Sequence, residues 1–307
     1  MNQALTAPLI YYDLLERPLT ALEVYRYLRA DAPELSFFNV WQELKTAGTQ
    51  ASFIQEKNGL YCLSGRQKLI AARQKRLKLA QLKWKKLKII GKYLALVPFL
   101  RLVAVTGSLT SCNTTKQSDF DLLVIVKKNR LWLGRLLLTG LVGTLGKRRH
   151  ENFTQDRICL NCYLTENNLE ITAQAKPRDF HSAQEYGRVT PVLEIKPGLY
   201  EKFIRANLWL ANFLKNYPWP SKRNAKTIKP PAIFNFIRLI FEWLLNRKTG
   251  DWLEKITGQW QNERIVKKRQ GERSNADQVF VSDECLMFHP RSKSDKLMKA
   301  FNRKIIM

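Results

Sequence analysis

Residues 1–65 change repeatedly between a helical and a strand-like spacing of apolar side chains. Pro8–Leu15 predicts a first helix, and Thr20–Glu23 carries the capping-box pattern that begins a second. Ser36 stands at the N-terminal cap of a third run with helical periodicity. Two short apolar strands then flank Lys57–Gly59, where the Asn-Gly pair favours a type I′ hairpin turn. The pattern predicts three helices followed by a β-hairpin.

That order of elements is typical of a winged-helix unit, which we predict for residues 1–65. A generic helical cap with a hairpin is the alternative interpretation. The next segment, residues 66–94, predicts one amphipathic linker helix because its apolar residues recur at helical spacing. Eleven Lys and Arg side chains occur in it with no acid between them. Its cationic face is either solvated or in contact with the phosphates of a nucleotide or a nucleic acid.

Residues 95–198 carry the pattern of a small mixed sheet. Arg101–Thr106 and Phe120–Val126 predict two strands, and Ile158–Leu164 predicts a third. Leu131–Leu145 predicts a helix between the second and third strands. We therefore expect this region to be a compact sheet core.

Residues 199–307 predict a helical C-terminal region. Helices are expected over 199–216 and 232–270, followed by a polar segment, two short apolar anchors and a loose basic tail. The predicted fold class is thus α+β. It combines a small mixed-sheet core with an N-terminal winged-helix unit and a C-terminal helical region.

Composition adds an unusual charge to this fold. The 307-residue chain has 52 Lys and Arg residues against 26 Asp and Glu residues, a formal net charge of +26. Its length excludes a disulfide-stapled mini-protein, and its 45% hydrophobic content excludes wholesale disorder. The basic excess favours polyanions: nucleic acid, nucleotide phosphates or an anionic membrane surface. A broadly Lys-rich composition without a specific partner is the alternative.

The cysteines favour a reducing compartment. Five are present, an odd number without a spaced framework, and Met1–Ala4 begins no signal-peptide pattern. We therefore expect a cytoplasmic protein. Cys159 and Cys162 form a CxxC within the predicted strand Ile158–Leu164, and their offset of three predicts thiols on opposite faces. That placement argues against a zinc or redox pair.

Two apolar stretches are too short or too charged to span a membrane. Leu131–Gly146 falls short of the roughly 20 residues needed, and Ala232–Leu245 contains Arg238 and Glu242. Both stretches are predicted to be buried helices. Because Lys147–Arg149 follows the first stretch directly, a peripheral contact with a membrane surface stays open.

The segment that carries chemistry joins Gly107-Ser108 to Asp119-Phe120-Asp121 across ten residues. A predicted strand ends just before Gly107, so a turn begins where backbone amides and the Ser108 hydroxyl can approach phosphate oxygens. Strand alternation places Asp119 and Asp121 on one face, about 7 Å apart along the strand, with Phe120 buried on the other. Two carboxylates so placed bind divalent cations. The pattern predicts metal-assisted phosphoryl or nucleotidyl transfer.

Gly-Ser, a spacer and Asp-x-Asp within an apolar strand resemble the motif of the polymerase beta-type nucleotidyltransferase superfamily. The resemblance covers Gly107–Val124 and implies that the sheet region is a nucleotidyltransferase core. It implies that Gly107 and Ser108 contact a nucleoside triphosphate, while Asp119 and Asp121 bind two Mg²⁺ ions. It further implies in-line attack of a hydroxyl on the α-phosphate, with release of pyrophosphate. The motif specifies neither the acceptor, nor the base, nor the oligomeric state.

Members of the superfamily usually supply a third carboxylate from a later strand, but Ile158–Leu164 contains no acid. Asp156, just before that strand, and Asn161, within it, are the two weak candidates for this position. If neither faces the metals, the site holds a single ion or is a degenerate nucleotide-binding site. The alternative function is therefore a winged-helix nucleic-acid-binding protein with a non-catalytic nucleotidyltransferase domain.

Overall fold

The computed structural model describes residues 3–49, 53–150, 153–219, 226–271, 279–288 and 294–306. Helices pack on both faces of a mixed six-stranded sheet, which confirms the α+β class. The α-helices of these residues are α1 (Gln3–Leu14), α2 (Ala21–Arg26), α3 (Phe37–Thr49), α4 (Lys68–Leu94), α5 (Gly107–Thr110), α6 (Leu131–Thr144), α7 (Phe180–Gly187), α8 (Leu199–Ala206), α9 (Ala232–Leu245), α10 (Lys248–Gly271) and α11 (Ser294–Ile306). The strands are β1 (Ile54–Lys57), β2 (Leu60–Leu63), β3 (Leu100–Val105), β4 (Phe120–Val126), β5 (Ile158–Thr165), β6 (Thr190–Glu194), β7 (Val279–Val281) and β8 (Cys285–Phe288).

The N-terminal unit, residues 1–65, follows the predicted order of three helices and a hairpin. Thr20 caps α2 with both bonds of the capping box: its hydroxyl accepts from the Glu23 amide, and the Glu23 carboxylate accepts from the Thr20 amide. Asn58 and Gly59 both have positive φ, 56° and 73°, as a type I′ turn requires. The predicted hairpin between β1 and β2 is therefore confirmed.

The basic segment forms the predicted long helix, α4, which connects the N-terminal unit to the sheet. Trp84, Leu87 and Leu94 on one side of it are buried in the sheet core. Several of its basic side chains form ion pairs with acids elsewhere in the chain. These pairs are Arg73–Glu23, Arg76–Glu16, Lys83–Asp156 and Lys86–Asp156. The cationic helix is therefore partly neutralised within the molecule.

The sheet has the strand order β6-β3-β4-β5-β8-β7. β3 is antiparallel to β4 and β6, whereas β4 and β5 are parallel. β4 has the predicted bounds Phe120–Val126, since its apolar run is buried on both faces. The two predicted apolar anchors form β7 and β8, and β8 pairs antiparallel with β5.

Each face of the sheet buries its own core. Leu123 and Ile125 of β4 pack with side chains of the N-terminal unit, α7, α8 and α11. Phe120 and Leu122 face the other way and pack with α4 and α6. The first face is the one toward which the candidate site residues point.

The two CxxC thiols lie on the same face of the sheet, so their predicted opposite placement is wrong. β5 has a bulge at Asn161 against β4, and the bulge adds one residue to the strand. Cys159 groups with Asp121, and Cys162 joins the buried core on that face. Both cysteines are free thiols.

The C-terminal tail, predicted to be loose, is the helix α11 over residues 294–306. Phe301 of this helix is 1% exposed and packs on Phe180 of α7 and Tyr11 of α1. Burial of this aromatic side chain fixes the tail to the N-terminal unit. The polar segment predicted after residue 270 lies largely outside the described residues.

The remaining helices agree in part with the predictions. The helix expected over 199–216 ends at Ala206, and a 3₁₀ turn, Leu208–Asn212, follows it. The predicted burial of α6 is confirmed, because Leu131, Leu138 and Val142 lie in the sheet core. The predicted burial of α9 is wrong, because Phe236 and Trp243 are more than half exposed. None of the helices in the described ranges is long and apolar enough to cross a membrane.

Candidate functional site

The candidate site lies at one end of the sheet, where β3 ends and where β4 and β5 begin. β3 leads into α5, whose first residue is Gly107. Asp119 precedes β4 and Asp121 is its second residue, while Phe120 between them is buried on the opposite face. Because β5 is parallel to β4, Cys159 lies beside Asp121 in register. The two aspartates thus come together on one face, as strand alternation predicts.

Asp119, Asp121 and Cys159 form one cluster of donor atoms. A carboxylate oxygen of each aspartate and the Cys159 sulfur lie within 4.8 Å of one another, and all three residues are half-buried. The sequence motif identified the two carboxylates. It missed the thiol, because alternation alone does not reveal that a parallel neighbour strand starts beside Asp121.

Gly107 is required by the close approach of the acidic cluster. A Cβ built on Gly107 would lie 2.5 Å from Asp121 Oδ2, and the residue has a φ of +66°. Both features disfavour a side chain at this position, because the backbone would be strained and the Asp121 carboxylate would have to move. The Asp121 carboxylate therefore packs directly against the turn that begins α5. Ser108 follows in α5, and its carbonyl accepts a hydrogen bond from the Asn113 amide at 2.9 Å.

The cluster lies in a field that disfavours further negative charge. Burial raises the pKa of Asp121 to about 7, and the nearby charges of Asp119 and Glu185 add to that rise. Arg149 and a hydrogen bond from Cys159 act in the opposite direction. Burial, reinforced by the two aspartates, also raises the pKa of the Cys159 thiol to about 12. The site therefore favours added positive charge.

Arg149 supplies positive charge to this site. Its Nη1 donates to Asp119 Oδ2 at 2.7 Å and lies 3.5 Å from Cys159 Sγ. Its backbone amide donates to the Ile158 carbonyl, which holds the segment along the start of β5. The Arg149 side chain is 46% exposed, so this ion pair is weak, at about 0–1 kcal/mol, and exchangeable. In the sequence, Arg149 is recognisable only as part of the basic run Lys147–Arg149 after α6.

Asn161 joins the site through the β5 bulge. Its Nδ2 donates to Asp121 Oδ1 at 3.3 Å. Its Oδ1 is buried and has no hydrogen-bond partner among the described residues. An unpaired buried oxygen costs about 1–3 kcal/mol, so a cation or a donor at this point would be stabilising.

The other weak candidate, Asp156, is directed elsewhere. Its two carboxylate oxygens accept from Lys83 Nζ at 2.7 Å and from Lys86 Nζ at 2.5 Å. Lys83 is 1% exposed and also donates to two backbone carbonyls, so the pair joins α4 to the loop before β5. The structure brings Asn161 to the acidic cluster and leaves Asp156 out of it.

The oxygen donors of the cluster fit a Mg²⁺ ion. Asp119 and Asp121 supply two carboxylates whose oxygens lie within 4.8 Å of each other. The Cys159 thiol does not fit, because sulfur is a soft ligand and its raised pKa keeps it protonated. The donor set thus favours a hard cation bound by oxygen atoms.

Comparisons with known proteins identify no relative for this chain. A scan against protein-family models gave no match, and neither did searches of curated proteins and of solved structures.

Proposed function

We propose that this protein is a Mg²⁺-dependent nucleotidyltransferase that moves a nucleoside monophosphate from a nucleoside triphosphate to a hydroxyl acceptor. The observation that carries the proposal is the packing of the Asp121 carboxylate against Gly107, with Asp119 beside it. This packing places an acidic pair directly beside the glycine turn that begins α5. The resemblance of Gly107–Val124 to the superfamily motif supports the same function.

In this proposal Asp119 and Asp121 hold one or two Mg²⁺ ions. The turn at Gly107 and Ser108 binds the triphosphate through its backbone amides and the serine hydroxyl. Bound Mg²⁺ supplies positive charge that stabilises the charge developing on the transferred phosphate and on the leaving pyrophosphate. Asp121 gives up the proton that its raised pKa retains near neutrality, since a metal ligand must be ionised.

Two neighbouring side chains adjust the site. When the substrate binds, Arg149 releases the Asp119 carboxylate and binds a phosphate oxygen instead, because guanidinium groups bind phosphates through paired N–H donors. Asn161 keeps the Asp121 carboxylate oriented through its side-chain amide. The acceptor hydroxyl belongs to a small molecule, a protein side chain or an RNA end.

The test is label transfer from α-labelled nucleoside triphosphates to pools of total RNA, protein and small molecules, with Mg²⁺ or Mn²⁺. The Asp119→Asn/Asp121→Asn double variant is expected to lose transfer by at least about 100-fold. Asp31→Asn, at an exposed carboxylate paired with Arg29, is the matched control and should retain full activity. Equal transfer by the wild type and the double variant would contradict the proposal.

A second candidate function is a winged-helix nucleic-acid-binding protein with a non-catalytic nucleotidyltransferase domain. Within the described part of the chain, the acidic cluster contains only two carboxylates, and Arg149 already pairs with one of them. Lys78, Lys85 and Lys92 recur every seven residues on the exposed side of α4, where they present positive charge to a polyanion.

Salt dependence tests this second candidate. The apparent affinity for a labelled duplex DNA and a labelled RNA should fall steeply with salt. The Lys78→Gln/Lys85→Gln/Lys92→Gln variant should reduce the magnitude of the slope of log affinity against log salt concentration by about 2–3, because three phosphate contacts are lost. Substitution of the exposed Lys202, Lys296 and Lys299 by Gln is the matched control. Absent or salt-independent binding would exclude this candidate.

A further inference from the structure

A cleft opens beside the candidate site, between the N-terminal unit, α4 and the start of β6. Its volume is about 520 Å³, which suits a small organic ligand. Thr110 and Cys112, just beyond Gly107, line one side. Thr190, which pairs with Val105 at the end of β3, lines another. The cleft and the acidic cluster thus lie at the same end of the sheet and share no residue.

The inner wall of this cleft has more buried positive charge than its acids neutralise. Arg17, Arg73 and Arg188 line it, and Arg17 is 4% exposed. One carboxylate, Glu23, serves two of them: it accepts from Arg17 Nη2 at 2.5 Å and pairs with Arg73 Nη1 at 2.8 Å. Burial opposes ionisation of Glu23, but these two arginines outweigh it and lower its pKa to about 2. At the inner wall, these three arginines and Glu23 leave an excess of two positive charges, and the other acid that lines the cleft, Glu201, is exposed.

Arg188 is the cation without an anionic partner. Its Nη1 donates to the Tyr12 hydroxyl and, at 3.2 Å, to Gln184 Oε1, both of which are neutral acceptors. Its guanidinium carbon lies 5.7 Å from the Tyr12 ring centre and 5.9 Å from that of Tyr27. Its Nε is buried without a hydrogen-bond partner, and none of the described carboxylates forms a salt bridge with it. A buried charge in this state is costly unless an anion joins it.

The rest of the lining suits the organic part of a ligand. Tyr27, Leu77, Ile204 and Trp219 provide apolar walls. Arg26 and Arg205 at the rim outnumber the carboxylate of Glu201 there, so the rim adds one further positive charge. Because a phosphate ester carries close to two negative charges at neutral pH and accepts paired guanidinium donors, it matches the excess charge of the inner wall.

We infer that this cleft binds a phosphorylated small molecule, with the phosphate at Arg188 and the ring or sugar against Tyr27 and Trp219. The shared chemistry is a phosphate monoester, which a nucleotide or a sugar phosphate supplies. The inference does not depend on the proposed transferase activity, since no residue of the acidic cluster takes part in it.

Calorimetric titration of the full-length chain tests this inference. The Asp119→Asn/Asp121→Asn variant in EDTA is titrated with adenosine monophosphate, glucose 6-phosphate, inorganic phosphate and adenosine, so that binding at the acidic cluster does not contribute. At least one organic phosphate should bind more tightly than inorganic phosphate, and adenosine should not bind. The comparison of the nucleotide with the sugar phosphate identifies the source of the phosphate.

Two arginine variants make the result specific. Arg188→Gln should weaken binding at least about tenfold, the effect of losing one charge-assisted bond. Arg205→Gln at the exposed rim should weaken it severalfold and keeps the test decisive if Arg188→Gln fails to fold. Arg178→Gln, at an exposed arginine paired with Glu170, is the control. Binding of adenosine as tight as that of its phosphate, or unchanged binding in both cleft variants, overturns the inference.

A separate observation concerns the helices α9 and α10. Half of the large apolar side chains that are exposed in the described residues lie on these two helices, 11 of 22. On α9, Phe236, Ile240 and Trp243 are exposed at helical spacing, and Trp252 and Trp260 lie eight residues apart on α10. Phe236 is 60% exposed, Trp243 62% and Trp252 63%. Apolar faces of this kind mark interaction surfaces.

Charge identifies the partner of this surface. Arg247 lies 5.0 Å from the Trp243 ring centre and Arg264 lies 4.9 Å from that of Trp260, so cations border the apolar face. A second copy of the chain would bring two formal charges of +26 together, whereas an anionic lipid surface attracts them. Aromatic side chains bordered by basic ones suit the interface of a bilayer. The geometry points to α9 and α10 as a docking surface for an anionic membrane.

Vesicle co-sedimentation of the full-length protein tests this assignment. The protein should sediment with vesicles of phosphatidylcholine and phosphatidylserine, and not with phosphatidylcholine alone. Trp243→Ser/Trp252→Ser should lower the bound fraction at least about tenfold, because two large apolar side chains no longer enter the lipid. Phe38→Ser, at an exposed aromatic side chain of α3, is the control. Unchanged binding in the double variant, or a stable dimer in light scattering that the double variant dissociates, overturns the assignment.

Discussion

A substitution at Gly107 distinguishes an effect on the chemistry of the site from an effect on the stability of the fold. Replacement by Ala adds a Cβ at 2.5 Å from Asp121 Oδ2 and a side chain at a φ of +66°. We expect Gly107→Ala to lose nearly all transfer activity. We also expect it to lower the free energy of unfolding by about 1–2 kcal/mol, because alanine is strained at a positive φ. Urea unfolding and label transfer measure the two effects.

Gly59→Ala is the control for this substitution. Gly59 also has a positive φ, +73°, but a Cβ there would meet no atom within 4 Å. It should lose a similar amount of stability and no activity. If both alanine variants keep full activity, the packing of Asp121 against Gly107 has no role in the reaction.

Asp121 makes cation binding depend on pH. Its folded-state pKa of about 7 lies above the ordinary value of about 4, so the neutral form is favoured in the fold. Its contribution to the stability of the metal-free protein therefore grows as pH falls from about 7 to about 4. Mg²⁺ must displace the proton, so Mg²⁺ should raise the melting temperature more at pH 8 than at pH 6. Asp121→Asn should abolish the Mg²⁺ effect at both pH values. An equal Mg²⁺ effect at both pH values in the wild type would contradict this prediction.

The sequence identified part of this site and missed part of it for a physical reason. Gly107, Asp119 and Asp121 belong to one strand–turn–strand segment. Within such a segment, the alternation of side chains along the strand and the glycine of the turn can be recognised in the sequence. Arg149 and Cys159 were missed, and Asn161 was only a weak candidate. All three reach the cluster along β5, and neither the parallel pairing of β5 with β4 nor its bulge has a local pattern.

At the scale of elements, the strongest local patterns were the most reliable. The capping box of α2, the Asn-Gly hairpin and the apolar run of β4 each fix a structure within a few residues. β6 was not predicted because its five residues, Thr190–Glu194, include Pro191 and are too short for a clear period. The helix α11 was missed because its basic composition obscured the burial of Phe301.

The junction between α4 and the loop before β5 gives a prediction at this scale. Asp156→Asn leaves Lys83 buried without its carboxylate, although two backbone carbonyls still accept from it. We expect a loss of about 2–3 kcal/mol in unfolding free energy, with transfer activity per folded molecule retained. Lys86→Gln, at the exposed lysine that also pairs with Asp156, is the control and should change stability little. Lost activity at unchanged stability would instead place Asp156 in the reaction.

At the scale of the whole molecule, the core crosses the predicted domain boundaries. The division into residues 1–65, 66–94, 95–198 and 199–307 follows changes in composition along the chain. One buried cluster nevertheless includes Leu5 of α1, Leu123 of β4 and Phe301 of α11. Contacts between the two ends of a chain have no local pattern, so composition could not indicate them. The N-terminal unit therefore depends on the C-terminal helix for part of its core.

Phe301 tests that dependence. Its ring stacks on Phe180 at 5.4 Å and meets Tyr11 edge-on at 5.6 Å, so it joins three distant segments. Phe301→Ala should lower the free energy of unfolding by about 3–4 kcal/mol, because it leaves a cavity where these segments meet. Phe153→Ala, at an exposed ring, should cost less than about 0.5 kcal/mol. If α1 and the sheet share one cooperative core, tryptophan fluorescence and circular dichroism will report a single urea transition that shifts as a whole in Phe301→Ala. Two separated transitions, only one of them shifted, would show that the N-terminal unit folds independently of the sheet.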